Sequence, residues 1–173
     1  CAKMNALGLD MDEQELLTAP GATMNLVRAR GLHPYYIVHP DLRGETGPDA
    51  ASPDAVVLGD AGHFFDYAQL NTAFRLIMQG LPFIAMARNR YFREEDGLSL
   101  DMGAFVAGLE YSTGTTAEIT GKPAAPFFQA ALDAVGVAAG DAIMVGDDLR
   151  DDIGGAQAAG IPGVLVRTGK YAP

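Results

Sequence analysis

Tryptophan is absent and cysteine occurs once, as Cys1, among 173 residues. No disulfide can form within the chain, so packing and hydrogen bonds must hold the fold, and a reducing cytoplasm is the expected compartment. The missing tryptophan decides nothing by itself. Basic residues are scarce: 12 Lys and Arg against 22 Asp and Glu give a formal net charge of −10. That balance opposes non-specific attraction to nucleic acid or an anionic membrane, and neither is expected as a partner. No apolar run approaches the ~20 residues of a membrane-spanning helix, and nothing resembles a charged-then-apolar export signal. What is present is a globular composition, 49% hydrophobic and 20% charged, in a chain long enough for one domain or two small ones.

The chain opens on Cys1 rather than methionine, and residues 1–8 read as the last turns of a helix closed by Gly8. Asp12 and Glu15 have capping-box spacing, and Leu16-Leu17-Thr18 suggests a short strand before Pro20. A helix is expected from Ala22 to Arg30, ended by Gly31, then a buried strand at Tyr35–Val38. Residues 39–53, rich in Asp, Gly and Pro, read as a loop. Ala55–Gly59 is a second strand. Tyr67, Leu70, Phe74, Ile77 and Met78 mark the apolar face of a helix that Gly80 and Pro82 stop before a strand at Phe83–Met86. A charged loop spans Arg88 to Asp96, and a helix surrounds Phe105, Val106 and Leu109. A short strand at Ala117–Ile119 runs into Gly121-Lys122-Pro123, and a helix follows near Phe127–Val135. Ala142–Val145 is a strand that leads directly into Gly146-Asp147-Asp148. A helix near Asp152–Ala159 and a strand at Gly163–Val166 complete the pattern. Continuous apolar strands separated by helices imply a parallel α/β architecture.

Two local patterns carry chemistry. In Gly146-Asp147-Asp148-Leu149-Arg150-Asp151-Asp152, four carboxylates lie where a strand ends and a helix begins, the position at which open α/β sheets bind ligands. Unpaired, they would repel one another, and a hard cation such as Mg²⁺ with substrate phosphate would relieve that. A solvated acidic turn with Asp capping the helix is the equally simple alternative. In Ile119-Thr120-Gly121-Lys122-Pro123 a strand delivers one lysine into a tight turn, where it could offset an anionic substrate; a surface lysine is the plain alternative. A Walker phosphate loop is excluded, because six residues separate Gly114 from Gly121 where four are required, and Pro123 stands in place of Ser or Thr.

Taken together, Gly121-Lys122-Pro123 followed by Gly146-Asp147-Asp148-Leu149-Arg150-Asp151-Asp152-Ile153 resembles the third and fourth motifs of haloacid dehalogenase superfamily phosphatases. Val56-Val57-Leu58-Gly59, Phe83-Ile84-Ala85 and Gly103-Ala104-Phe105 resemble the branch with a large α/β cap. The resemblance implies a doubly wound, parallel, Rossmann-like core from residues 1–20 and 101–173, with an α/β cap inserted over 21–100. It implies a Mg²⁺-dependent phosphohydrolase working through an aspartyl-phosphate on a small phosphorylated metabolite, a phosphoramidate or pyrophosphate. In that resemblance Asp147 matches the metal-binding acid, Asp148 is a further metal contact, Asp152 matches the second acid, which braces either the lysine or the metal's water shell, and Lys122 matches the lysine that steadies nucleophile and phosphoryl oxygens. Arg88 and Arg90, in the cap's substrate-facing loop, are candidates to meet the phosphorylated substrate. A homodimer through the cap, involving Tyr35, Tyr36, Phe64 and Phe65, is a further expectation.

The family's first motif, Asp-x-Asp, is the point of departure. Asp10-Met11-Asp12 is followed by Glu13 where Thr or Val is expected, and lies after the place of the second motif, so Asp10 is read as a loop residue. The nucleophile is expected on a segment upstream of Cys1, leaving the core incomplete at its N-terminal side and the chain alone inactive. The rival readings are a non-catalytic relative that binds phosphate, or a signalling receiver, which the long insert between Thr18 and Phe105 disfavours. A dinucleotide-binding dehydrogenase is set aside because no Gly-x-Gly-x-x-Gly follows a strand. His33, His39 and His63 lack zinc-site spacing and are read as loop or surface residues.

Overall fold

The computed structural model describes residues 2–10, 12, 15–94, 96–169 and 171. Its larger unit is a four-stranded parallel sheet in the order β1-β2-β3-β6, formed by Pro34–Ile37, Ala55–Leu58, Phe83–Ala85 and Glu118–Ile119. In register, Tyr36 faces Val57 and Val57 faces Ile84. Every residue of β2 and β3 is buried, as expected of parallel strands covered on both faces. Burying a side chain the size of Ile84 contributes roughly 1.5–3 kcal/mol.

Two helices, α2 (Ala19–Ala29) and α4 (Tyr67–Met78), supply much of the cover. Thr18 caps α2: its Oγ1 accepts from the Gly21 N–H at 3.1 Å, and Pro20 occupies the first turn, where a missing N–H costs nothing. This is why Leu16-Leu17-Thr18 is not the expected strand; the chain there is entering a helix. Asp66 caps α4 in the same way, accepting from the Gln69 N–H at 2.8 Å. The inward face of α4 differs from expectation. Ala73 and Ile77 are buried with Leu70 and Phe74 against them, while Tyr67 and Met78 point outward.

The stretch expected to be a charged loop holds an antiparallel hairpin, β4 (Tyr91–Glu94) and β5 (Gly97–Leu100). Gly97 sits at φ +149°, a backbone conformation that favours glycine. Helix α5 (Gly103–Thr113) follows and packs on α4. The same hydrophobic core takes in Val106, Leu109 and Ala117, with Ile119 against it, so the packing continues past residue 100 to β6.

A second, smaller core centres on Phe128 and Leu132 of α6 (Ala125–Val135), with Ala156 and Ile161. It lies against a two-stranded parallel sheet, β7 (Met144–Gly146) and β8 (Gly163–Leu165), which a helical turn over Leu149–Gly154 and α7 (Gly155–Ala158) connect. The described residues also include short α-helices at α1 (Ala2–Ala6), after which Gly8 has φ +82°, and at α3 (Arg43–Thr46), inside the expected loop. Among the described residues no helix is long and apolar enough to cross a membrane.

Candidate functional site

Lys122 is placed by the end of β6. Beyond Ile119 the chain keeps its ladder with β3, as the Thr120 and Gly121 N–H groups donate to the Ala85 and Met86 carbonyls, each at 3.0 Å. Gly121 is required by close approach, since a Cβ there would overlap the Met86 carbonyl oxygen and crowd the Ala19 methyl. Thr120, buried, lies 2.6 Å by Oγ1 from Oγ1 of buried Thr23 on α2. The Lys122–Pro123 peptide is cis, and the Ala124 N–H closes a turn onto the Gly121 carbonyl at 3.0 Å before α6 begins. Lys122 Nζ then reaches Asp152 Oδ1 at 2.6 Å.

The acidic turn resolves most of its repulsion internally. Asp152 is buried, and while Oδ1 accepts from Lys122, Oδ2 accepts from the Asp148 N–H at 3.2 Å. Asp148 is the cap of the turn that follows β7: its Oδ1 accepts from the N–H groups of Arg150 and Asp151 at 3.0 and 2.9 Å. The capping alternative is therefore realised at Asp148. Gly146 is fixed by the same geometry, because a Cβ at that position would lie 2.5 Å from Cβ and 2.6 Å from Cγ of Asp152. Asp147 points elsewhere. A Cβ on Gly169 would overlap its carboxylate, and it lines a cavity of about 230 Å³ with Tyr91, Leu149, Leu165 and Tyr171.

Among the described residues no group of three or more His, Cys, Asp or Glu is arranged to hold a metal ion. That is poor for zinc or calcium, which take their ligands mainly from the protein, and compatible with Mg²⁺, which keeps several waters and binds one or two carboxylates plus phosphate oxygens.

The structure also brings Arg88 and Arg90 to the acidic turn. With Tyr91 they line a cavity of about 140 Å³ whose other walls are Asp148, Arg150 and Asp151. Arg88 is held by Glu110 of α5 at 2.5 Å, and Glu110 in turn accepts from the Ala117 N–H at 3.1 Å. Lys122 does not line this cavity; it joins the turn from behind, through Asp152. Tyr91 belongs to the same expected charged loop as Arg88 and Arg90, whereas Arg150 was not singled out from the sequence. Arg150 stands inside the acidic motif, and its nearest ion pair, Nε to Asp151 Oδ1, is 3.8 Å long.

Other candidates fall outside this site. Asp10 is exposed, and the Asp12 N–H donates to Glu15 Oε2 at 2.8 Å, one half of the expected capping box; Met11 and Glu13 lie outside the described residues. His33 meets Asp54 at 3.3 Å, whereas His39 and His63 pack with Phe64. Backbone donation from His33 holds the Asp54 carboxyl below its ordinary range. Of the residues offered for a cap interface, Tyr36 is buried with its hydroxyl against Met24, and Phe65 stacks on Phe105 at 3.7 Å. Both are engaged within the chain.

Residues 119–173 match the HAD-hydrolase-like family model. Over 98% of its length the chain is 41% identical to phospholysine phosphohistidine inorganic pyrophosphate phosphatase of Mus musculus and 44% identical to haloacid dehalogenase-like hydrolase domain-containing protein 2 of Bos taurus, covering 64% and 66% of those proteins. It thus spans just under two thirds of the length of these curated relatives. A glycerol phosphate phosphatase from Mycobacterium tuberculosis, solved in complex with magnesium, superposes with a TM-score of 0.86 at 28% identity, over 99% of this chain and 54% of that one. The family match covers both the lysine and the acidic turn, and the parallel α/β fold agrees with it: the chain belongs to the haloacid dehalogenase-like hydrolases.

Proposed function

We propose that the full-length protein is a magnesium-dependent phosphohydrolase of small phosphorylated compounds: phosphate esters, phosphoramidates or pyrophosphate. The observation that carries this reading is the 2.6 Å pair between Lys122 and buried Asp152. It ties a strand-end cation to a strand-end acidic turn 30 positions away, at the place where α/β sheets bind ligands.

In this reading Asp152 is a brace. Both of its oxygens are used, one on Lys122 and one on the Asp148 N–H, so it holds the ammonium in a single direction. Lys122, whose side chain is 42% exposed, keeps donor capacity for a phosphoryl oxygen and for the attacking carboxylate. That carboxylate is assigned to a part of the protein outside these 173 residues; its attack on phosphorus would break the bond to the leaving alcohol, amine or phosphate, which departs with a proton, and form the aspartyl-phosphate, which water then hydrolyses to inorganic phosphate and the free carboxylate. Asp147, with Asp148 beside it, would hold Mg²⁺, which when bound supplies positive charge to the phosphoryl oxygens. Arg88 and Arg90 approach from the four-stranded unit, which serves as the cap: it narrows the opening, excludes water and meets the part of the substrate that leaves.

The experiment is phosphate release by the full-length protein from a panel of such compounds, with Mg²⁺ and with chelator. Release that requires Mg²⁺ and falls about 100-fold or more in Lys122→Met supports the reading, since a single preorganised donor to transition-state charge is worth that much. Absence of release from every compound, or release indifferent to chelator, rejects it.

A further inference from the structure

Three guanidinium groups converge on one opening. Besides the 140 Å³ cavity, Arg88, Arg90 and Arg150 together line a larger, adjoining one of about 810 Å³, with Tyr91, Leu98 and Leu100 of the hairpin on its wall. The three arginines come from two different parts of the fold: Arg88 and Arg90 from the segment between β3 and β4, and Arg150 from the turn after β7.

Their charges are unequally engaged. Arg88 is paired with Glu110, whose side chain is only 12% exposed, and so is oriented but half neutralised. Arg150 has the long 3.8 Å contact to Asp151. Arg90 has no ion pair or side-chain hydrogen bond among the described residues. Asp148 and Asp151 face the smaller cavity and set a limit on how far an anion can move toward the turn; among the described residues that line the larger cavity none is acidic. In a chain of net charge −10, a cavity whose described lining residues include three arginines and no carboxylate is a local reversal of sign. Guanidinium groups are suited to planar, bidentate recognition of carboxylate or phosphate.

We infer that the leaving portion of the substrate carries its own negative charge, a carboxylate or a second phosphate, and that Arg150, with Arg90, is the specificity-determining contact for it. This rests on the proposed phosphohydrolase reading and narrows it: a phosphomonoester with a neutral leaving portion would leave the arginine cavity without a counter-charge. Arg150 reads the substrate from the acidic-turn side and Arg90 from the cap side, so an anion between them also bridges the two units.

The test compares phenyl phosphate with 4-carboxyphenyl phosphate in the full-length protein and in Arg150→Leu and Arg150→Lys. The quantity read is the ratio of kcat/KM for the carboxylated compound to that for the plain one. It is expected to fall about tenfold in Arg150→Leu, the equivalent of one lost charged hydrogen bond, and to recover partly in Arg150→Lys, which retains charge without the fork. Ratios equal in the three proteins overturn the inference and leave the phosphohydrolase reading standing. Should the unaltered protein hydrolyse neither compound, calorimetric binding of both without metal decides the point. Tighter binding of the carboxylated compound that Arg150→Leu abolishes supports the arginine cavity, and equal binding rejects it.

Discussion

Removing Lys122 should cost stability as well as chemistry, and the structure sets the size of the effect. Its partner Asp152 is 7% exposed and has one other donor, the Asp148 N–H at 3.2 Å. In Lys122→Met a buried carboxylate therefore keeps one hydrogen bond of two. Breaking a pair buried on both sides costs about 3–5 kcal/mol, and an exposed pair is worth about 0.2–1 kcal/mol. With the lysine half in water and the aspartate out of it, the expected loss is about 2 kcal/mol, close to what a charged hydrogen bond contributes. For a chain of this size that corresponds to a Tm lower by about 4–8 °C. Asp152→Asn sets a second donor, the amide, against the ammonium and should lose a similar amount. The double variant Lys122→Met/Asp152→Asn removes both the charge and its burial cost, so the two losses should not add. Urea denaturation of the four proteins gives the coupling directly. A coupling near 2 kcal/mol supports the buried-brace account, and a value under about 0.5 kcal/mol, typical of surface pairs, refutes it.

Three further outcomes follow from single contacts. Gly146→Ala drives a methyl into the Asp152 carboxylate, and should destabilise by about 1–3 kcal/mol in a denaturation curve while also lowering phosphate release, because the brace itself is displaced. Arg30 and Glu118 form a two-pronged pair at 2.6 and 2.8 Å on the surface, with the guanidinium pKa raised by that hydrogen bond; Glu118→Gln should cost no more than about 1 kcal/mol and lose even that in molar salt. Asp66 has its pKa lowered chiefly by the Gln69 N–H it caps. Its folded value lies below its unfolded one, so its contribution is full above the ordinary carboxylate range and disappears as pH falls through the lowered value; acid titrations of the native protein and Asp66→Ala should separate above that range and merge below it.

Much of this arrangement can be read in the residues. Parallel pairing was visible in runs such as Ala55-Val56-Val57-Leu58, and the convergence of Lys122 with the acidic turn follows from both lying at strand ends. The hairpin was not anticipated, although Asp96-Gly97 before Leu98-Ser99-Leu100 is a short-range hairpin signal with the right alternation. The charges of Arg88, Arg90 and Arg93 masked it. The role of Asp148 was ambiguous for a physical reason: an Asp before a helical turn is equally a cap or a ligand until its N–H partners are seen. Arg150 was hidden because only folding brings the β3–β4 segment opposite the acidic turn. Strand β7 illustrates the reverse case. Its apolar run reads as fully buried, yet Val145 is 59% exposed, since β8 is its one strand partner among the described residues.

The central claim is that Lys122, Asp147 and Asp152 serve one pocket shared by a divalent ion and an oxyanion. Two ligands in one site must influence each other's binding reciprocally. The direct measurement is the affinity of the full-length protein for inorganic phosphate, by calorimetry, with and without Mg²⁺, in the native protein and in Asp147→Asn. Phosphate binding that Mg²⁺ strengthens, with the strengthening lost in Asp147→Asn, is the predicted result; phosphate affinity independent of Mg²⁺ in both proteins contradicts the account.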